Sequence, residues 1–270
     1  MKPGKNDLER IADFYQSEIN ILWDIITRGH IHLGYWGEQD ADLPFAAATE
    51  NLTRLMIGKT EISPGGRFCD IGCGVGGPAM MLAEEKGCTV HGVTISAYQK
   101  KEAEKRARRR QLEDKTAFYV ANALELPFEA ESYDGGWFFE SIFHMGHEAA
   151  LREARRILKP GASLLVADVI DIGTMTASDK KLARELCNAA YIGIDAYPDL
   201  LRRTGFEAVE ILDVTEAVMG PFDGKFTEAV ARHRPRLLEI VPEALLDPFK
   251  SVGAQLAASA GYCIVTARKR

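Results

Sequence analysis

Residues 68–78 read FCDIGCGVGGP, where a short apolar run gives way to glycines and a proline. The turn SPGG at 63–66 precedes it, so the spacing predicts a strand at 67–71 that feeds a glycine-rich loop and then a helix. Two patterns fit the loop. Gly72, Gly74 and Gly77 make G-x-G-x-x-G, whereas Gly72, Gly74 and Gly76, led by Asp70, make D-x-G-x-G-x-G. Both describe a backbone that a ligand approaches where a Cβ would clash. They differ in charge: a carboxylate two residues before the first glycine opposes a pyrophosphate and suits a ligand with a cationic amine or sulfonium.

Working outward, strand patterns recur at 67–71, 89–94, 116–120, 133–139 and 163–169, with helical stretches at 77–86, 97–111 and 148–158 between them. Strands alternating with helices of this length indicate βαβ units and a parallel sheet. In open α/β sheets the ligand sits beyond the carboxyl ends of the strands. Asp70, Thr94, Asn122, Glu140 and Asp168 all fall at or just after such ends. Towards the N-terminus, apolar residues at helical spacing predict one or two helices over 7–28 and another over 45–57, around the aromatic loop HIHLGYWG. The last hundred residues predict helices at 177–190 and 196–204, a strand at 206–214, a proline-broken helical stretch at 221–260 and a final strand at 262–268.

Composition narrows the function classes. The 270 residues are 46% hydrophobic and 27% charged, as in a globular enzyme with a substantial core. The formal charge of −6 argues against nucleic acid as the main partner. Its basic stretch KKEAEKRARRR at 100–110 reads as a solvated helix face, with Glu102 and Glu104 placed to pair with Arg106 and Arg108. No apolar run approaches the ~20 residues of a membrane span and the N-terminus lacks a secretory pattern, so a cytoplasmic protein without membrane insertion is expected. Five cysteines without a C-x-x-C pair suggest neither a disulfide framework nor a zinc site. The pairs His30/His32 and His144/His147 lack a third ligand at suitable spacing, so no metal is expected.

Two further segments weigh on the glycine loop. Residues 120–128, VANALELPF, and 157–165, ILKPGASLL, together with DIGCGVG in this order, resemble class I S-adenosylmethionine-dependent methyltransferases. HLGYW at 32–36, TISAYQ at 94–99 and ESIFHM at 140–145 resemble natural-product and prenyl-ring members, of tocopherol and ubiquinone type. The fold this implies is α/β, a doubly wound, mostly parallel seven-stranded Rossmann-like sheet with its last strand antiparallel. An N-terminal helical cap (1–60) would precede the core (61–270), with helical lid insertions at about 174–204 and 219–260. The activity implied is methyl transfer from S-adenosylmethionine, leaving S-adenosylhomocysteine, to a small, largely apolar acceptor at oxygen or carbon. A cofactor-binding cyclase and a nicotinamide-binding protein are the alternatives. The N-terminal helix could exchange between subunits of a homo-oligomer.

The resemblance also assigns positions. Asp70, Gly72, Cys73 and Gly74 would hold the amino-acid end of the cofactor. Thr94, Ile95 and Gln99 would hold the ribose, with Thr94 standing where many members have Asp or Glu and the Gln99 carbonyl supplying a second acceptor. Asn122 and Ala123 would meet adenine, Glu140 would complete the cofactor site, and Tyr15 and Tyr35 would cover it. His144 is the candidate base, because an imidazole titrates near neutrality and this one follows the fourth strand; Asp168 would be its partner or a second base. Phe143, Tyr191, Tyr197, Met219 and Phe222 would make an apolar acceptor pocket.

Overall fold

The computed structural model describes residues 18–243, 246 and 258–270. Seven strands form one sheet: β1 Arg67–Ile71, β2 Thr89–Thr94, β3 Thr116–Val120, β4 Tyr133–Phe139, β5 Leu158–Asp171, β6 Phe206–Asp213 and β7 Ala260–Lys269. They lie in the order β3-β2-β1-β4-β5-β7-β6. Pairing is parallel from β3 to β5, and β7 runs antiparallel to both β5 and β6. The chain therefore reverses its direction of travel across the sheet between β1 and β4, which is where such sheets open a crevice.

Alternate residues of the central strands feed two apolar layers. Phe68, Trp137 and Leu165 face one cluster, while Cys69, Phe138 and Leu164 face the other. A strand buried on both faces has no polar side to show, which is why these segments read as unbroken apolar runs. The first layer is covered by α1 Glu18–Thr27, α2 Phe45–Lys59, α3 Gly77–Lys86 and α9 Phe222–Leu237. The second is covered mainly by α5 His147–Ile157 and α7 Tyr197–Arg203. Between them in sequence lie α4 Ala97–Arg110, α6 Ala177–Cys187 and the short α8 Thr215–Val218.

The first four strands coincide with the sequence expectation, and β5 is longer than expected. Its ladder with β4 jumps from Tyr133↔Leu158 to Gly135↔Ser163, so Lys159–Gly161 bulges out to solvent. Pro160 has no N–H to give the ladder and Gly161 is at φ +77°, so the bulge falls where the sequence permits it. Helix α6 stops at Cys187, short of 190, because Asn188 adopts the left-handed cap conformation at φ 50°. Residues 7–17 of the first expected helix lie outside the described residues, as do 244–245 and 247–257 of the proline-broken stretch. The described half of that first helix packs into its own chain: Leu22 and Ile26 are buried, and Trp23 stacks on Phe222 at 6.4 Å.

Helix α4 presents its basic residues outward, pairing Lys100 with Glu104 and Lys105 with Glu102. The sequence suggested Arg106 for one of these glutamates. Instead its guanidinium crosses to Asp24 of α1 at 2.5 Å, a partly buried site where the attraction is less screened by water. Among the described residues no helix is long and apolar enough to cross a membrane.

Candidate active site

A cleft of about 910 Å³, its open mouth included, lies beyond the carboxyl ends of β1, β2, β3 and β4. Gly72, Cys73 and Gly74 line it from β1, Thr94, Ile95 and Gln99 from β2, Asn122 and Ala123 from β3, and Glu140 and His144 from β4. Four loops and one crossing segment, residues 28–36, thus bring together most of the predicted cofactor positions.

The glycines of the loop meet different surroundings. Gly74 sits at φ +53°, and a Cβ there would have only Ile31 Cδ1 within reach, at 3.9 Å, so its backbone stands open to the cleft. Gly77, the third glycine of the dinucleotide pattern, is different. A Cβ on it would stand 2.2 Å from the carbonyl oxygen of Gly29. The crossing segment, not a pyrophosphate, is what requires glycine at that position.

Asp70, next to last in β1, lies in the cleft wall with 1% exposure, and neither carboxylate oxygen has a hydrogen-bond partner among the described residues. Burial pushes its carboxyl up to about 7; the nearby Trp137 indole N–H, not itself at bonding geometry, offsets this only in part. A buried, unpartnered carboxylate at a cleft is a group waiting for a cation.

At the end of β2 the Thr94 hydroxyl accepts from the Ser96 amide at 3.1 Å and donates to Gln99 Oε1 at 2.6 Å. The Gln99 carbonyl, expected to face the ribose, is thus tied to Thr94 through one of its lone pairs. Its Nε2 is buried without a partner, so the side chain offers the cleft a donor. Asn122 Oδ1 likewise accepts from the Leu124 amide at 2.9 Å, and its Nδ2 is the donor it can present to the cleft.

Glu140 begins the loop after β4 in the left-handed region, at φ 47°. Its Oε1 accepts from the Leu33 amide at 2.8 Å and from the Tyr262 hydroxyl of β7 at 2.7 Å. Burial, aided by the Asp168 charge, raises its carboxyl to about 7 despite those two bonds. His144 closes a 3₁₀ turn at Ile142–His144 and lines the same side of the cleft with Phe139, Ser141 and Met145.

The crossing segment supplies Ile31 and His32 to the lining. His32 stacks on Phe139 at 4.1 Å, and its Nδ1 lies 2.7 Å from the Leu33 carbonyl, which can only accept; that nitrogen carries the proton. The Thr53 hydroxyl sits between His30 Nδ1 at 2.9 Å and His32 Nε2 at 3.1 Å. Burial holds both rings neutral, His30 down to about 4 with nearby arginines adding to the effect. These histidines brace a loop. Among the described residues no cluster of three His, Cys, Asp or Glu side chains is placed to hold a metal.

Several expected positions lie elsewhere. Tyr35 is not in the lining; its ring covers Gly37, its amide donates to the Ala48 carbonyl and its carbonyl accepts from Asn51. Tyr15 lies outside the described residues. Asp168 is fully buried behind the cleft, where Oδ2 accepts from Tyr197 at 2.5 Å and faces His147 Nε2 at 2.9 Å. Its histidine is thus His147 rather than His144, and Tyr197 belongs to that buried cluster rather than to an acceptor pocket. Met219 and Phe222 pack in the core, where Phe222 stacks on Phe226 at 5.3 Å. Phe143 is buried against Tyr191, ring centres 5.4 Å apart, beside His144. The sequence did not mark Ile31, Phe139, Ser141 or Met145 as lining, nor Tyr262 and Leu33 as partners of Glu140; only HLGYW and ESIFHM hinted that those segments mattered.

A family model for a methyltransferase domain matches residues 69–166. The chain is 31% identical to (+)-O-methylkolavelool synthase of Herpetosiphon aurantiacus, over 99% of this chain and 95% of that one. It is also 31% identical to 27-O-demethylrifamycin SV methyltransferase of Amycolatopsis mediterranei, over 99% of this chain and 98% of that one. The crystal structure of the [4+2]-cyclase SpnF superposes with a TM-score of 0.84 at 28% identity, covering 97% of this chain and 96% of that one. The sheet, the cleft and these likenesses define one class: the chain belongs to the class I S-adenosylmethionine-dependent methyltransferases. Within it, its relatives are O- and C-methyltransferases of natural-product pathways, and S-adenosylmethionine is its methyl donor. The cleft suits that donor: unpartnered Asp70 faces cationic chemistry, Gln99 Nε2 is a spare donor, and the Gly74 backbone is open.

Proposed function

We propose that this enzyme methylates a hydroxyl oxygen of a small, largely apolar natural-product-like molecule. The observation that carries the reading is the wall after β4, where a carboxylate and an imidazole, Glu140 and His144, face the cleft among Phe139, Met145 and Ile31. Two proton-accepting groups beside apolar Phe139, Met145 and Ile31 suit an acceptor that must lose a proton while its body packs against those side chains. The two full-length relatives whose names carry an O-methyl group support the same choice.

S-adenosylmethionine, when bound, supplies an electrophilic methyl group on a sulfonium. Asp70 would balance the positive charge of its amino-acid end, Gly72, Cys73 and Gly74 would bring backbone against it, Thr94, Ile95 and Gln99 would hold the ribose, and Asn122 and Ala123 the adenine. Glu140 and the crossing segment would close the site beside the reacting atoms. His144 would take the acceptor's proton or orient its hydroxyl as the oxygen attacks in line. The test is transfer from methyl-labelled cofactor to terpenoid alcohol, macrolide and phenolic acceptors, with products placed by mass and NMR. His144→Ala should lower turnover by ~100-fold or more while cofactor affinity holds. Near-normal turnover with methyl on carbon would replace oxygen by an electron-rich carbon as the target. Carbon–carbon bond formation without methyl release would favour a cyclase, as in the SpnF relative.

A further inference from the structure

Glu140 is held in an uncommon way. Both of its hydrogen bonds fall on one oxygen, from donors that lie 107 and 122 residues away in sequence. No hydrogen bond falls on the second oxygen, Oε2, among the described residues, and Glu140 lines the cleft. The backbone beneath is in the left-handed region, which a non-glycine residue keeps only when its surroundings hold it there. Tyr262 is itself fixed: its amide donates to Thr215 Oγ1 at 3.0 Å, its carbonyl accepts from the Val214 amide at 3.0 Å, and its ring is fully buried.

We propose that Tyr262 is a positioning residue of the methyl-transfer site: with the Leu33 amide it pins Oε1 of Glu140, so that Oε2 is the oxygen presented to the bound molecules. This rests on the cleft being the methyl-transfer site. The Tyr262 hydroxyl donates more strongly to a carboxylate than to a carboxylic acid, so it also holds Glu140 nearer its charged form at neutral pH. The groups that face this carboxylate are few. Tyr262 of β7 and the Leu33 amide of the crossing segment donate to it, the Asp168 charge of β5 acts on it, and Asp70, His32 and His144 line the same cleft. Burial and the Asp168 charge oppose the charge on Glu140 and the two donors favour it, so removing one donor should tip the balance. The Leu33 amide joins this carboxylate to the segment whose Gly29 carbonyl rests on Gly77, so the protonation of Glu140 also bears on how firmly that segment lies over the cleft.

The experiment is an infrared pH titration of the full-length protein, with the Glu140 carboxyl band identified by its loss in Glu140→Gln. Tyr262→Phe keeps the ring and removes the hydroxyl; the band should then titrate about one unit higher than in the parent. A fluorinated tyrosine at 262, a stronger donor of the same shape, should move it lower, and covers the case in which Tyr262→Phe fails to fold. Titration unmoved in both proteins overturns the proposal. Calorimetry with S-adenosylhomocysteine is run alongside. If the band moves and the cofactor does not bind, the reading of the cleft fails while the relation between Tyr262 and Glu140 stands; binding without any movement sinks the positioning role alone.

Discussion

The carbonyl oxygen of Gly29 occupies the space where a side chain on Gly77 would begin, 2.2 Å from the position of its Cβ. Contact at that distance is impossible, so any larger residue at 77 must lift the crossing segment off the start of α3. Ile31 and His32 would move with it, and both line the cleft. Gly77→Ala should therefore lower affinity for S-adenosylhomocysteine by roughly tenfold and destabilise the fold by about 1–3 kcal/mol. Calorimetry and thermal melting check this, and an unaltered affinity would show that the segment is not part of the cofactor site.

Asp70 and Glu140 both have carboxyls raised to about 7 by burial. A group that binds its proton more tightly when folded adds stability below its unfolded pKa, near 4, and loses that contribution as pH rises through its folded pKa. Stability of the cofactor-free protein should fall as pH increases from about 4 to 7, and a shift of about three units bounds the Asp70 share at roughly 4 kcal/mol. Cofactor binding draws Asp70 into its charged form, so affinity should rise over the same window with proton release. Calorimetry in buffers of different ionisation heat measures that release. Asp70→Asn should flatten the pH dependence, weaken cofactor binding and stabilise the empty protein at pH 8.

The spare donor of Gln99 gives a third expectation. Gln99→Ala removes Nε2 from the cleft and leaves the Thr94 hydroxyl without its acceptor. Loss of one or two useful hydrogen bonds should weaken cofactor affinity about tenfold. Calorimetric affinity equal to the parent's would remove Gln99 from the ribose site.

Asp168 belongs to a buried cluster with His147 and Tyr197, so its loss should be felt as stability. Asp168→Asn or Tyr197→Phe removes or weakens a buried charge-assisted hydrogen bond, a loss of about 1–3 kcal/mol in unfolding experiments. Cofactor affinity should change less than twofold. A large loss of affinity with an unchanged melting temperature would return Asp168 to the site.

The first four strands could be read from the sequence because they are short, largely apolar and punctuated by glycine and proline. The cofactor side was legible for a related reason: in a parallel sheet the residues just past each strand end converge, so Asp70, Thr94, Asn122 and Glu140 meet without long-range information. What sequence could not give is pairing across distance. Nothing local says that Glu140 finds Tyr262, or that Asp168 prefers His147 to His144 three residues earlier. Met219 and Phe222 were misplaced because an apolar helical stripe looks the same whether it lines a pocket or packs on a neighbouring helix. The role of Gly77 was hidden likewise, since a motif records that glycine is needed and not which atom needs the room.

The antiparallel strand is the last element of the sheet to be synthesised, yet it fills the gap between two that precede it. Until residues 260–269 emerge, β5 and β6 each keep an open edge, and Glu140 lacks one of its two donors. Translation that stalls or stops just short of that point would leave a nascent sheet with two sticky borders, the kind that invites association with other chains.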